Sequence, residues 1–154
     1  MKILIGSDHA GFELKEIVAQ LLRQELGCEV IDAGPHSLDR CDFPVYAEKV
    51  ARGVVAQEAD FGILICGTGI GMSIAANKVP GAYAAHCCDS YSARMARLHN
   101  AANILCLGAR VLGVEIARDI VRAFLSTPVD EGTAYAARRR QIAKLESGGT
   151  VAEP

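Results

Sequence analysis

DFGILICGTGIGMSIAANK spans residues 60–78 and reads in succession as a strand, a turn and a helix. DFGILIC (60–66) is apolar on both faces, which suits the middle of a parallel sheet. GTGIG (67–71) makes the turn, MSIAANK carries the helix, and Val79-Pro80-Gly81 ends it. The same alternation extends in both directions. On the amino-terminal side, KILIGS (2–7) is a strand. FELKEIVAQLLRQEL (12–26) follows as a helix with Leu14, Ile17, Val18, Leu21, Leu22 and Leu26 at helical spacing, stopped by Gly27. CEVIDA (28–33) is a strand, GPHSLDRCDF (34–43) a polar loop, and Asp42 with Pro44 opens the helix PVYAEKVARGVVAQ (44–57). On the carboxyl-terminal side come strand AYAAHC (82–87), helix SYSARMARLHN (90–100) capped by Asp89 or Ser90, strand ANILCLG (102–108), helix GVEIARDIVRAFLS (113–126) and a last helix from near Thr133 to about Glu146. Five strands alternating with helices imply an α/β fold, with a parallel sheet between two helical layers and right-handed crossovers. Ligands then bind beyond the carboxyl ends of the strands. That directs attention to Asp8-His9, Cys66–Gly71 and Gly108–Arg110.

The chain has 154 residues, which suits one domain, here over 1–147 with 148–154 read as a flexible tail. Hydrophobic residues make up 51% and charged residues 22%, globular proportions that exclude a disordered chain. A net charge of −2 argues against a nucleic-acid partner. No apolar run reaches the ~18 residues of a membrane span. The start is interrupted by Asp8, His9 and Glu13, so it does not read as a signal peptide. Six cysteines without such a signal suggest reduced thiols in the cytoplasm. Cys28, Cys41, Cys66, Cys87, Cys88 and Cys106 contain no CxxC pair, so no metal site is expected.

The glycine loop CGTGIG (66–71) lets the backbone approach a ligand, and free N–H groups at the helix start favour an anion. It is not GxGxxG, and no Lys-Ser/Thr follows as in a P-loop, so a nucleotide-binding module is disfavoured. Cys66 stands at its mouth. The helix dipole favours charge on the sulfur by only ~0.3–1 kcal/mol, so direct N–H donors or the substrate must supply the rest. Cys28, Cys87, Cys88 and Cys106 fit small buried hydrophobes. Asp8 could bind sugar hydroxyls or merely cap a helix; His9 could meet an anion, move a proton or sit in water. His99-Asn100 ends a helix, at the amino edge of its own sheet. It is either a helix terminator or reaches a neighbouring subunit's cleft. His36 and His86 carry no such context. On the last helix Ala134, Arg138, Ile142 and Leu145 share a face, which predicts Arg138 turned inward and Arg139 and Arg140 in water. Arg110 lies on the cleft side, and two cleft arginines suggest a small anion such as phosphate.

GSDHAGFELK, ICGTGIGMSIAANK, His99-Asn100 and GARV resemble ribose-5-phosphate isomerase type B and its galactose-6-phosphate isomerase relatives, over about residues 1–145. The resemblance implies a Rossmann-like three-layer sandwich with a C-terminal helix. It also implies an enzyme that uses no metal and no cofactor, acting on a sugar phosphate as a homodimer or dimer of dimers with sites between subunits. It assigns Cys66 as the base that moves a proton between C2 and C1, assisted by Thr68, and His99 to opening of the furanose ring. Gly67, Gly69, Ile70 and Gly71 N–H groups, with Asn100, would hold the enediolate oxygens. Asp8 would bind ring hydroxyls, and His9, Arg110 and Arg138 the phosphate. One family branch uses a glutamate near Ser73 as base; here neither Met72 nor Ser73 is an acid.

The chain departs from the family's GGRHxxRV pattern. Ala134 stands at its first arginine, Tyr135 at its histidine, and Arg138 keeps the second arginine. Phe43 replaces a common tyrosine. Loss of one charge-assisted contact would weaken phosphate binding by roughly 1.5–3 kcal/mol if nothing compensates. A sister isomerase for another four- to six-carbon sugar or sugar phosphate is therefore the alternative expectation.

Overall fold

The computed structural model describes residues 1–152. The elements follow in the order β1 (Lys2–Ser7), α1 (Phe12–Gln24), β2 (Glu29–Asp32), α2 (Phe43–Val55), β3 (Phe61–Cys66), α3 (Ile70–Ala76), β4 (Ala84–His86), α4 (Ser90–Leu98), β5 (Ile104–Gly108), α5 (Val114–Ser126) and α6 (Thr133–Glu146). All strand pairs are parallel, in the order β2-β1-β3-β5-β4, so β3 is central as its two-sided apolar pattern requires. No helix is long and apolar enough to cross a membrane among the described residues.

Alternation along the strands divides the core. Ile3, Ile5, Ile63, Ile65, Leu105 and Leu107 pack under α1 and α5, whereas Leu4, Leu64, Ile104 and Cys106 pack under α2 and α3. Phe124 of α5 is fully buried and meets Phe61 edge-on, their ring centroids 5.9 Å apart. Replacing such a ring by alanine costs ~3–5 kcal/mol.

The edges carry local solutions. β4 is only three residues long and lies at the sheet's edge. The Asn77 side chain covers that edge: its amide accepts from Ala84 N–H (2.9 Å) and donates to Ala84 O (2.8 Å), as a neighbouring strand would. Asp89 caps α4 through Ser92 N–H, the bond that chiefly lowers its carboxyl's proton affinity. At the end of α6, Gly148 N–H reaches Leu145 O and Gly149 N–H reaches Lys144 O, a Schellman closure with Gly148 at a φ of 82°. Residues 153–154 of the expected tail lie outside the described residues.

α6 corrects the reading of its faces. Arg138 is exposed, and Ile142 and Leu145 are 37% and 56% exposed. Arg139 is the arginine that turns inward, donating to His99 O (3.2 Å) and Asp130 O (2.9 Å) and pairing with Glu131. The helix touches the domain through Tyr135, Arg139 and Glu146 rather than along an apolar stripe, so the Ile142 face has no core of its own to enter. Cys88 is also corrected: it is exposed, unlike buried Cys28, Cys87 and Cys106.

Candidate active site

Three strands end level. Ser7 pairs with Ile65, and Cys66 with Gly108. The chain segments leaving these ends are stitched together by backbone bonds: Asp8 N–H to Ile65 O (3.1 Å), Ala109 N–H to Cys66 O (2.8 Å) and Arg110 N–H to Gly67 O (2.9 Å). Glycine permits the close approach. A Cβ on Gly11 would lie 2.4 Å from the Ile65 oxygen, and one on Gly108 2.6 Å from that of Thr68.

Cys66 sits in this rim, 6% exposed. Its Sγ accepts the Gly69 N–H at 3.1 Å. Gly69 has a φ of 82°, which a residue with a Cβ adopts only under strain, and the left-handed turn that glycine permits aims its N–H at sulfur. An N–H donor so placed stabilises negative charge on sulfur more directly than the dipole of the seven-residue α3 does. Thr68 is exposed beside it, its Oγ1 accepting from Ile70 N–H at 3.3 Å. Ile70 and Gly71 form the first turn of α3, and Gly71 faces the Phe43 ring, 2.9 Å from where a Cβ would stand.

Asp8 is 8% exposed, and its Oδ1 accepts from Gly11 N–H at 2.9 Å. It therefore folds the turn into α1 with one carboxylate oxygen; among the described residues Oδ2 makes no hydrogen bond. His9 Nδ1 accepts from Cys41 N–H at 3.4 Å, which leaves Nε2 as the protonated nitrogen of the neutral ring, free to donate. The Arg110 side chain runs along the glycine loop, its Cδ 3.5 Å from the Cβ position of Gly67. Asp8, His9, Cys66, Thr68 and Arg110 thus gather at one edge: an acceptor, two groups that can donate to an anion, a hydroxyl and a thiol.

His99 and Asn100 are not in that rim. His99 is the C-cap of α4, before β5 begins, and Asn100 lines a hollow of about 220 Å³ with Asn77, Tyr83 and Ala84 at the start of β4. They therefore lie toward the amino ends of the strands, and Cys66 at a carboxyl end. α6 brings Arg138 to the His99 side, its guanidinium carbon 5.5 Å from the Tyr135 ring, which stacks on His99. One chain carries two separated groups of candidate residues.

Two residues escaped the sequence reading. His86 ends β4 on the rim side and packs against the glycine loop, its Cδ2 2.7 Å from the Cβ position of Gly69, with Cys88 Sγ 3.6 Å from its Nε2. Its place at a strand's carboxyl end was the available signal. Lys15 is fully buried, paired with Asp32 (2.5 Å) and Glu16 (2.8 Å), and Asp32 also accepts from Gly34 N–H (2.8 Å). This pair ties α1 to the end of β2. Lys15 shares the buried face of α1 with Val18 and Leu22, three and seven residues on, which was its signal.

Residues 3–142 match the model of the ribose/galactose isomerase family. The chain belongs to that family. Ribose-5-phosphate isomerase B of Escherichia coli is 52% identical over 132 residues, covering 85% of this chain and 87% of that protein. The structure of Clostridium thermocellum ribose-5-phosphate isomerase B superposes with a TM-score of 0.93 at 51% identity, covering 96% of this chain and 99% of that one. D-erythrulose-4-phosphate isomerase 2 of Mycolicibacterium smegmatis is 42% identical over 152 residues, covering 95% and 97%. Family membership confirms the α/β sandwich with its five-stranded parallel sheet, and makes the chain an isomerase by descent.

Proposed function

We propose that this protein interconverts ribose 5-phosphate and ribulose 5-phosphate, with Cys66 as the proton carrier. The observation that carries the reading is the Cys66 sulfur held by the Gly69 N–H in a rim that also presents Asp8, His9 and Arg110. His9 and Arg110, with Arg138, hold the phosphate, and Asp8 accepts from sugar hydroxyls. His99 takes the anomeric hydroxyl proton as the C1–O4 bond breaks and O4 is protonated, leaving the aldehyde. Cys66 as thiolate then removes the C2 proton and returns it to C1, while the O2 hydroxyl proton passes to O1 with help from Thr68. The electron pair rests meanwhile on an enediolate held by the N–H groups of Gly67 and Gly71 and by Asn100, while the Gly69 and Ile70 N–H groups stay on the Cys66 sulfur and the Thr68 hydroxyl. Removing one such preorganised donor costs roughly 10²–10³ in rate.

The separation of the two groups supports a site shared between copies. A homodimer, alone or paired into a dimer of dimers, joins the Cys66 rim of one copy to His99 and Asn100 of the other. The exposed Ile70 and Ile74 of α3 and Ile142 and Leu145 of α6 supply apolar surface for that contact. The six free thiols fit a cytoplasmic setting.

The test is turnover of ribose 5-phosphate in EDTA, for wild type and Cys66→Ala. Turnover that survives the chelator and vanishes in the variant supports the reading; turnover unchanged by the substitution refutes it. A second substrate, one carbon shorter, is the alternative: the M. smegmatis relative named for erythrulose 4-phosphate is 42% identical, against 52% for the E. coli protein. The ratio of kcat/KM for ribulose 5-phosphate to that for erythrulose 4-phosphate decides between them.

A further inference from the structure

The Tyr135 and His99 rings stack with centroids 4.0 Å apart and planes inclined by 7°. The other contacts around them are built to keep that arrangement. The His99 backbone is held from both sides, its N–H by Met95 O (3.0 Å) and its carbonyl by Arg139 (3.2 Å). Asp130 N–H reaches Leu98 O (2.8 Å), and Arg139 returns to Asp130 O (2.9 Å), so the start of α6 is latched to the end of α4. At its far end Glu146 accepts from Gly81 N–H (2.9 Å). The Arg138 guanidinium carbon lies 5.5 Å from the Tyr135 centroid, within cation–π range. Among the described residues neither ring nitrogen of His99 makes a hydrogen bond. The imidazole is thus fixed by its face, and its nitrogen-bearing edge is left for a ligand.

We propose that Tyr135 is the positioning residue for ring opening: its phenol ring holds the His99 imidazole edge-on to the sugar. The role rests on the reading that His99 opens the furanose ring. Tyr135 stands where the family pattern has histidine, so the stack belongs to this chain's own variation. It acts only through His99, and it needs the ring plane but not the phenol oxygen.

That distinction gives a test that a merely structural role would not pass. An aldotetrose 4-phosphate has no free O4 with which to close a five-membered ring, so its isomerisation needs no ring opening. Tyr135→Leu keeps bulk but removes the stack. It should lower kcat for ribose 5-phosphate by roughly 10- to 100-fold, the cost of a mispositioned group, and leave kcat for erythrose 4-phosphate within about twofold. Tyr135→Phe should match wild type on both sugars. The His99 ring protons, followed by NMR, should be shifted upfield in wild type and Tyr135→Phe and return toward ordinary values in Tyr135→Leu. That readout needs no activity. Equal slowing of both sugars, no slowing of either, or an unshifted His99 in wild type overturns the positioning role while leaving the isomerase reading in place. Wild type that isomerises neither sugar refutes the isomerase reading, and the positioning role falls with it even where the ring shift persists.

Discussion

The Cys66 rim and the α6 arm make opposite use of the same polypeptide. The rim is closed on itself. Backbone bonds join its three loops, and glycines at 11, 69 and 108 stand where a Cβ would meet neighbouring atoms at 2.4–2.7 Å. The arm is held by the Tyr135 ring stack and by polar contacts of Arg139 and Glu146, and shows Ile142 and Leu145 to solvent. A self-sufficient rim can keep a thiol and its N–H donor in register without a partner. The arm carries Arg138 and Tyr135 away from the Cys66 rim, which is the ground for proposing a site shared with a second copy.

The largest expected effect falls on the rim. Cys66→Ser should lower kcat by roughly 10²–10⁴-fold, the worth of a positioned general base, with the urea unfolding midpoint nearly unchanged. Turnover within tenfold of wild type would mean that the rim works without its thiol. Arg138→Ala comes next. Loss of a charge-assisted contact of ~1.5–3 kcal/mol should raise KM about 10- to 100-fold for a phosphorylated sugar, with kcat less affected. Because Arg138 is exposed, the unfolding curve of the isolated chain should not move; a shifted curve would show that the arm is packed more tightly than its contacts indicate. Gly108→Ala should cost about 1–3 kcal/mol of stability through overpacking, read as a lower urea midpoint, since its Cβ would press on the Thr68 carbonyl. An unchanged midpoint would show that the rim yields easily.

The smallest effect concerns the buried thiols. Burial pushes the Cys87 thiol up to about 11 and holds Cys106 well above the ordinary thiol range, with charge on neighbouring thiolates and, for Cys87, Asp89 adding to it. The folded protein keeps these protons more tightly than the unfolded chain. Their contribution to stability is therefore complete below about pH 9, the ordinary thiol value, and declines as pH rises toward 11 and beyond. Urea midpoints from pH 8 to 11 should fall, and a thiol reagent at pH 8 should modify exposed Cys88 ahead of Cys87 and Cys106. Equal reaction of all three would contradict their burial.

The rim could be read from the sequence because its requirements are local. A strand apolar on both faces, followed by glycines and a helix, leaves few backbone paths, and parallel topology brings three such ends together. Helix ends were less legible: α1 stops at Gln24, before Gly27, because Leu26 N–H returns to Leu21 O and Cys28 N–H to Leu22 O. The arm was misread for a physical reason. An apolar stripe at Ala134, Ile142 and Leu145 says that a face is to be covered, not by which chain, and Arg138 was turned inward on the assumption that the cover is the domain itself. His86 and Lys15 went unseen because their importance arises between elements: one packs on a glycine of another loop, the other meets an aspartate on another strand.

Mixing two inactive chains tests the shared site most directly. Cys66→Ala lacks the rim's thiol, and His99→Ala lacks the imidazole at the end of α4. After unfolding and refolding together in equal amounts, half of the symmetric dimers are hybrids. In each hybrid one site draws its Cys66 from one chain and its His99 from the other. The account predicts recovery of roughly a quarter of wild-type activity on ribose 5-phosphate, from one working site in every second dimer. A mixture no more active than its separate components, with hybrid dimers present by mass, would contradict it and place both groups in the service of a single chain.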